Sequence, residues 1–356
     1  MRFGGITKVA FHGASRLGMV SLLAAAGLVA ALLAPVLAAR VATAQTTPQT
    51  WEVQVGLSEM GPTGSFEAQA FGPDPLIIRA GDTVTWKFAS VHTVTFNSGK
   101  PDLPLAVPGT NAGELMVGPA FFPMGPQGPG ATYDGTQQVS SGAPLQGPPD
   151  QFSYSLTFTK TGQFAYVCAI HPGMRGQIEV REAGAPLPET PAQARTRGQV
   201  TLNALVGKIK QDAQASGRGA SAAGVSTVLA GLGNGFGASA VHFLPDTVTV
   251  RRGDIVVWTL ADPFEDHTVT FTSGATPPDL IEPRPQPSGP PQIFFNARAV
   301  TPAGGDTYTG TGYVNSGLLN LTPGRTFVLR VDAPPGTYDY LCLIHPFQKG
   351  RIIVTP

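Results

Sequence analysis

Short stretches in which apolar and polar residues alternate recur along the chain, and they predict β-strands. The clearest is 152–158, which reads Phe-Ser-Tyr-Ser-Leu-Thr-Phe. A period of two places one face of a strand in a core and the other face in solvent. Predicted strands are 76–79, 83–88, 92–96, 152–158, 163–168 and 177–180, followed later by 247–250, 255–259, 267–271, 326–331, 337–342 and 351–354. The pattern predicts an all-β fold of antiparallel sheets packed as Greek-key β-sandwiches.

The predicted strands fall into two halves that share short sequence strings. His92-Thr-Val-Thr-Phe recurs as His267-Thr-Val-Thr-Phe, and a Gly-Asp string ends at Trp86 in one half and at Trp258 in the other. Self-similarity over this length indicates duplicated domains. We therefore predict two tandem sandwich domains at 45–181 and 225–356, joined by a linker at 182–224.

The linker differs in composition from both halves. It is rich in proline at its start and in glycine and alanine at its end. Between these ends, apolar residues recur at helical spacing on one face: Leu202, Leu205, Val206, Ile209 and Ala213. The linker is therefore expected to be partly helical and to dock on one of the sandwiches, although Gly198 and Gly207 weaken the helix.

Residues 1–44 have the pattern of an export signal. Arg2, Lys8 and Arg16 precede an almost wholly apolar stretch at 17–37, and Ala42-Thr-Ala44 supplies a small-residue cleavage site before Gln45. The expected location is therefore periplasmic or extracellular. The apolar stretch is also long enough to serve as a membrane anchor if it is not cleaved, and membrane association is expected only in that case.

Composition fits a β-rich exported protein and argues against nucleic-acid binding. The 44 glycines and 34 prolines suit many turns and long loops. The chain has 23 basic and 23 acidic side chains, and four of the basic ones lie in residues 1–44, which leaves the remainder with a formal charge of −4. Such a weakly acidic chain has no basic stripe for nucleic acid.

The chemistry-bearing residues recur with the repeat. Both cysteines of the chain lie in a Cys-x-x-His-Pro string, Cys168 to His171 and Cys342 to His345. A thiolate, two imidazoles and a weak axial group are the ligands of a blue-copper electron-transfer centre. The candidate ligands form two sets: His92, Cys168, His171 and Met174, then His267, Cys342, His345 and Gln348. A disulfide is the alternative for an even cysteine count in an exported protein, but it would leave the repeated histidines unexplained.

With these residues the chain resembles the cupredoxin family of blue type 1 copper proteins, which includes plastocyanin, azurin and amicyanin. The ligand loop of the first half is similar to the short loop of amicyanin, with Pro172 after the histidine and Met174 beyond it. Gln348 stands where that family usually has Met, which resembles the axial amide of stellacyanin-type phytocyanins. The resemblance implies two cupredoxin-like sandwiches and two copper ions cycling between Cu(I) and Cu(II), with the lower potential in the second half.

The resemblance also implies a mechanism of electron transfer. Electrons would pass by outer-sphere transfer through exposed edges of His171 and His345 to redox proteins, in small and transient encounters. Copper delivery or storage is the alternative function, and a surface structural protein with one degenerate copper site is another. Zinc is a poorer fit, because structural zinc sites seldom use Met or Gln.

An enzyme with this fold would need further copper ligands. Nitrite reductases and multicopper oxidases share the fold, so the fold alone does not decide the function. They build additional copper clusters from several more histidines. This chain has six histidines, of which one lies in the leader and four belong to the two candidate sites, so only His242 remains. We therefore expect an electron carrier rather than an enzyme, and interpret His242 as structural.

Overall fold

The computed structural model describes residues 47–217 and 221–356. The predicted leader, its cleavage site before Gln45 and part of the predicted linker lie outside the described residues. Residues 44–356 form one structural unit. Within the described ranges, no helix has both the length and the apolar character needed to cross a membrane.

Strands dominate both halves. The first half contains β1 (Thr50–Met60), β2 (Ser65–Gly72), β3 (Leu76–Arg79), β4 (Thr83–Phe88), β5 (Thr95–Phe96), β6 (Ala106–Pro108), β7 (Leu115–Val117), β8 (Thr132–Tyr133), β9 (Val139–Ser140), β10 (Ser153–Phe158), β11 (Gly162–Val167) and β12 (Arg175–Arg181). Helix α1 (Pro191–Ser216) follows. The second half contains β13 (Ser221–Ala222), β14 (Val225–Asn234), β15 (Ala238–Leu244), β16 (Thr247–Arg251), β17 (Ile255–Ala261), β18 (Thr270–Phe271), β19 (Ile281–Arg284), β20 (Gln292–Phe295), the short helix α2 (Ala297–Val300), β21 (Thr307–Tyr308), β22 (Val314–Asn315), β23 (Thr326–Val331), β24 (Gly336–Leu341) and β25 (Lys349–Thr355). Short 3₁₀ turns lie at Pro119–Phe121, Pro149–Gln151, Leu319–Leu321 and Pro323–Arg325.

Each half is a β-sandwich, so the predicted fold class is confirmed. The expectation of antiparallel sheets was wrong, because β1 runs parallel to β4 and β3 runs parallel to β12, and the equivalent strands of the second half also pair in parallel. In the first half, β1, β4, β10 and β8 form part of one sheet, and the facing sheet has the order β3-β12-β11-β5-β9. The second half repeats this arrangement, with β14, β17, β23 and β21 facing the order β16-β25-β24-β18-β22. The equivalent strands of the two halves therefore occupy equivalent places.

The core of each sandwich lies between its two sheets and is built around a buried tryptophan. Trp86 packs edge-on against Tyr166, with ring centroids 5.5 Å apart, and Trp258 packs in the same way against Tyr340 at 5.4 Å. Both tryptophans are fully buried. Aromatic pairs in this geometry add to the stability that their buried area provides.

The predicted strands agree with the structure except at the two histidine strings. Strands were predicted at 92–96 and 267–271, but only Thr95–Phe96 and Thr270–Phe271 pair in a sheet. The preceding residues leave the ladder, because the backbone N–H of Thr93 donates to Cys168 and that of Thr268 donates to Cys342. The start of each string thus turns toward a cysteine.

The alternation did not predict β1, β2, β14 and β15, and two of these strands, β2 and β15, join the halves. In the described residues one sheet of eleven strands runs through both sandwiches, and β2 pairs with β15 at its centre. Ala68 pairs with Ala238, and Phe66 pairs with Ala240. Ala68 and Ala240 occupy the same place in their own hairpins, since each lies opposite the leucine after a bulge. The junction of β2 and β15, called the seam below, is therefore close to two-fold symmetric.

Helix α1 covers the seam. Thr190 caps its start, accepting a hydrogen bond from the backbone N–H of Gln193. Leu202 and Val206 pack with Ala68 of β2, and further along the helix Ile209 and Ala213 pack with Ala238 and Ala240 of β15. The apolar face was predicted correctly. The expectation that the helix docks on one sandwich was wrong, because its face is long enough to cover a strand from each.

The long loops of the two halves meet as well. In the part of the chain that the structure describes, they contribute a four-stranded sheet of order β19-β20-β7-β6, in which Phe294 pairs with Met116 of the other half. Arg284 forms an ion pair with Glu114 at 2.6 Å and lies over the Phe294 ring at 3.9 Å. The halves therefore contact each other through this small sheet as well as at the seam.

Candidate metal centres

The first candidate site brings one residue from near β5 together with the loop after β11. His92 Nδ1 lies 2.7 Å from His171 Nδ1 and 3.7 Å from Cys168 Sγ, and His171 Nδ1 lies 3.5 Å from the same sulfur. All three side chains are buried. One nitrogen from each ring and the thiol sulfur thus converge on a point that is shielded from water.

The loop from Cys168 to Met174 closes on itself through its backbone. The N–H of Cys168 donates to the carbonyl of Met174 at 3.0 Å, and the N–H of Met174 donates to the carbonyl of His171 at 3.2 Å. These bonds fold the loop between β11 and β12 into a tight turn. Met174 is only 2% exposed. The predicted axial residue is therefore buried on the same short loop as the cysteine and histidine.

The second candidate site repeats this construction. Cys342 Sγ lies 3.7 Å from His345 Nδ1, and these two residues cluster with His267. The N–H of Cys342 donates to the carbonyl of Gln348 at 3.0 Å, and the N–H of Gln348 donates to the carbonyl of His345 at 2.7 Å. The loops of the two halves thus share the same backbone hydrogen bonds.

Gln348 is a buried residue that faces the site. It is 0% exposed, and its Oε1 lies 2.7 Å from His267 Nδ1. A loop glutamine is often solvated, and this one is not. The amide oxygen therefore stands beside a ring nitrogen of the candidate ligand set, where an axial ligand would be needed. The assignment of Gln348 as a ligand stays a prediction.

A threonine in each half ties the first histidine to the cysteine loop. Thr93 Oγ1 accepts a hydrogen bond from the N–H of Ala169 at 2.6 Å, and Thr268 Oγ1 accepts one from Leu343 at 2.8 Å. The N–H of each threonine lies 3.3 Å from the cysteine sulfur. We did not assign a role to these threonines from the sequence, although their recurrence after each histidine was the signal.

A glycine on a bulge makes room for the first histidine of each set. A Cβ placed on Gly56 would lie 2.4 Å from His92 Nε2, and one placed on Gly231 would lie 2.1 Å from His267 Nε2. Both glycines have positive φ, 69° and 84°, in the region that favours glycine. Each lies where the register of its hairpin shifts. Both precede their histidine by the same distance in sequence, a signal that sequence analysis could have used.

The electrostatics of the sites favour a thiolate. Burial opposes ionisation of Cys168, but His171 and His92 outweigh it and hold the pKa of the thiol well below its usual range. The pKa of Cys342 is likewise held well below its usual range, since His267 and His345 outweigh its burial. A thiolate is the form that binds metal. Both cysteines are free, so the disulfide alternative is wrong.

The donor sets fit copper. Each site offers a free thiolate and imidazole nitrogens from two histidines, which suit a soft or borderline ion. Met174, buried on the ligand loop of one half, and the Gln348 oxygen in the other half are of the weak donor types that such a centre uses as a fourth ligand. The residues present are therefore compatible with the implied metal at both places.

The outer edges of the two loop histidines were expected to be exposed, and that expectation was wrong. His171 is 7% exposed, and its Nε2 lies 3.0 Å from Glu265 Oε1. His345 Nε2 lies 3.4 Å from Glu265 Oε2. Burial opposes ionisation of Glu265, but the two imidazoles outweigh it and hold its pKa well below its usual range. The edges face each other across one carboxylate because the two ligand loops meet near the seam.

The similarity to known proteins is local in sequence. No family model matches the chain. It is 47% identical to Amicyanin-alpha of Methylorubrum extorquens over 34 residues, which are 10% of this chain and 28% of that protein's length. An oxidised amicyanin variant is similar in structure, with 21% identity, 37% of this chain and 82% of that chain covered, and a TM-score of 0.21. The Cu(I) form of another amicyanin variant covers 39% of this chain and 89% of its own at 22% identity and a TM-score of 0.22. The expected resemblance to a cupredoxin is thus supported over a short segment.

Proposed function

We propose that the protein is an exported blue-copper electron-transfer protein with two type 1 copper centres, one in each half. The observation that carries this proposal is the repeated burial of a free cysteine against two histidines. The local identity to amicyanin points to the same class of protein. In this proposal the protein carries single electrons between redox partners and catalyses no substrate reaction.

The proposed ligands are four residues in each half. In the first half they are His92, Cys168, His171 and the axial Met174. In the second half they are His267, Cys342, His345 and the axial Gln348. Bound copper would supply a one-electron couple between Cu(I) and Cu(II). The chain's own contribution is to hold the donors in one arrangement for both oxidation states.

Rigid support for the ligands comes from the contacts around them. The hydroxyls of Thr93 and Thr268 fix each cysteine loop, and their N–H groups point at the sulfur. The glycine at each bulge leaves room for the first histidine, because a Cβ there would collide with the imidazole ring. Ligands held in place by the residues around them need to move little when an electron arrives, which favours fast transfer over copper delivery.

The axial residues set the expected direction of electron flow. Met174 offers a soft thioether, whereas Gln348 offers a harder amide oxygen. A harder donor favours Cu(II), so the second half is expected to have the lower reduction potential. Electrons would then pass from the second half to the first.

Redox partners would meet the protein in weak and transient contacts. Since Glu265 covers the edges of His171 and His345, a partner would have to approach each centre from another side. The export signal predicted at 1–44 places the proposed exchange in the periplasm or outside the cell.

The proposal is tested by loading residues 45–356 with Cu(II) and measuring copper per chain together with visible and electron paramagnetic resonance spectra. We expect two coppers, an intense thiolate-to-copper band and two distinguishable signals. Copper that binds without an intense band and exchanges readily with a chelator would favour delivery or storage. A protein that binds no copper would refute the proposal and favour a structural role.

Two cysteine variants assign the signals to their halves. Cys168→Ser should remove the signal of the first half and leave that of the second, and Cys342→Ser should do the reverse. Loss of the whole spectrum in either variant would contradict two separate centres. A wild-type protein with one copper, unaffected by Cys342→Ser, would show that the second site is degenerate.

A further inference from the structure

One carboxylate lies between the two candidate copper sites. Glu265 Oε1 is 3.0 Å from His171 Nε2, and Glu265 Oε2 is 3.4 Å from His345 Nε2. Its side chain is 8% exposed. The two oxygens of a single side chain therefore contact the outer nitrogens of two imidazoles that belong to different ligand sets.

Both halves hold Glu265 in place. The side-chain amide of Gln69, on β2 of the first half, donates to Glu265 Oε1 at 2.7 Å. Within the second half, Asp262 Oδ1 accepts the backbone N–H groups of Phe264 and Glu265 at 2.8 and 3.2 Å. The carboxylate is thus positioned from both sides of the seam.

The contact pattern suits metal-bound histidines. Each inner nitrogen, Nδ1, faces a ligand set, which leaves the N–H of a neutral ring on Nε2. A histidine bound to metal commonly donates this outer N–H to a carboxylate, which fixes the ring and tunes the metal. Here one carboxylate contacts the histidines of two sites, so a single side chain connects the two rings.

The repeat shows that this carboxylate is not part of the duplicated framework. Two residues before the first histidine, the second half has Glu265 and the first half has Ser90. Ser90 Oγ lies 2.9 Å from His92 Nε2, so it serves the histidine of its own half. Among the described residues, only the second half has a carboxylate at this position, and it lies where the two ligand loops meet.

We propose that Glu265 is the link through which electrons pass between the two copper centres. This inference rests on the proposed function. One electron leaves the Gln348 side, so that the copper held there goes from Cu(I) to Cu(II), and the same electron reduces the copper on the Met174 side from Cu(II) to Cu(I). The route runs from His345 through Glu265 to His171, and no covalent bond or proton is exchanged.

The test uses the copper-loaded protein, reduced by one electron in a rapid pulse, and follows how that electron distributes between the two centres. Glu265→Ala should slow the exchange between centres by about ten-fold or more, while both blue bands remain. Glu265→Gln keeps the size of the side chain and should give an intermediate rate. An unchanged rate in both variants would overturn the link and leave Glu265 as a clamp between the halves.

A second measurement tests whether Glu265 acts on both centres. Glu265→Gln removes a negative charge beside both ligand histidines, so both reduction potentials should rise. A change in the second-half potential alone would contradict a link that reaches the first half. The magnetic interaction between the two Cu(II) ions, measured in the same samples, shows whether a variant keeps the distance between the ions. Exchange rates and potentials are compared only among variants that keep this distance.

The matched control is Glu67→Gln. Glu67 is also a buried carboxylate at the seam, but its Oε1 accepts hydrogen bonds from Ser65 and Ser58 rather than from an imidazole. The Glu67→Gln variant should exchange electrons between the centres at the wild-type rate. If it were slowed as much as the Glu265 variants, the specific role of Glu265 would be overturned. A third metal ion that disappears in Glu265→Ala would also overturn it. A wild type without a blue band would instead refute the proposed function.

Discussion

The ligand loops and the seam differ in how closely the two halves of the chain repeat each other. The loops repeat in their backbone hydrogen bonds. In each half the cysteine N–H donates to the carbonyl of Met174 or Gln348 at 3.0 Å, and a threonine N–H lies 3.3 Å from the sulfur. The seam repeats only in its strand pairing. Its side chains, Gln69 and Glu265 among them, belong to one half each. The residues that the halves share build the candidate metal centres, and the residues that they do not share connect the two halves.

The largest expected effect comes from the repeated bulge glycines. Gly231→Ala would place a methyl group 2.1 Å from His267 Nε2, at a φ of 84°. Together, the left-handed backbone and the overpacking should cost about 2–5 kcal/mol of unfolding free energy. The variant should also lose copper from the second half. Thermal unfolding and copper per chain measure both effects.

Gly56→Ala should do the same to the first half alone, since its methyl group would lie 2.4 Å from His92 Nε2. Gly235→Ala is the matched control, because a methyl group there meets no atom within 4 Å. If one bulge variant lost a copper and the other kept both, the two bulge glycines would not have the same role in the two halves.

The next largest effect should come from the helix over the seam. Gly198→Ala would place a methyl group 2.3 Å from the backbone carbon of Gly72. Overpacking costs about 1–3 kcal/mol, which should exceed the gain of about 1 kcal/mol in helix propensity. Gly207→Ala has open space around it and should stabilise the protein by about that gain. Urea unfolding of the two variants tests whether they shift stability in opposite directions.

The sequence predicted the sandwiches and the candidate ligands better than it predicted the way the halves join. Strand 83–88 has clean alternation, because one of its faces lies in a core and the other does not. β15 is buried at nearly every position, since α1 covers its outer face and β2 covers its edge. Period-two alternation disappears in such a strand, so the pattern could not reveal it.

Glu265 could not be predicted for a different reason. Its partners are 94 and 80 residues away in the chain, and both belong to motifs that already had a role. No spacing rule connects a carboxylate in one domain with a histidine in the next. The same holds for Gly198, which weakens an isolated helix but permits its close approach to Gly72. The role of such residues depends on contacts between two elements that are distant in the sequence.

An effect of similar size to that of Gly198→Ala is expected at the paired threonines, and it should be equal in the two halves. Thr93→Val removes the acceptor for the N–H of Ala169, and Thr268→Val removes the acceptor for the N–H of Leu343. Valine keeps the shape, so the cost is that of a buried donor left unpaired, about 1–3 kcal/mol. Thermal unfolding should give similar losses. A loss in one variant only would show that the two loops are not held alike.

The axial contrast can be sharpened by exchanging the two residues. Gln348→Met should raise the potential of the second centre, because a softer donor favours Cu(I). Met174→Gln should lower that of the first. Each tenfold change in the relative affinity for the two oxidation states shifts a one-electron potential by about 59 mV. Redox titration of the blue bands measures both shifts, and an unchanged potential in Gln348→Met would remove the axial assignment.

The smallest expected effect is a loss of stability at low pH that arises from His242. This residue lies at the seam and has no counterpart in the first half. Its ring packs on Phe66 with centroids 4.6 Å apart, and burial lowers its pKa, against a smaller opposing influence of Asp246. The unfolded chain takes up this proton near pH 6.5, and the folded protein takes it up only at lower pH. Stability should therefore fall as the pH drops below about 6.5, by about 1 kcal/mol or less from this residue. Unfolding of the copper-loaded protein at pH 7 and pH 5 should show a weaker pH dependence in His242→Gln than in the wild type. Equal dependence would mean that the acid response of the seam arises from other groups.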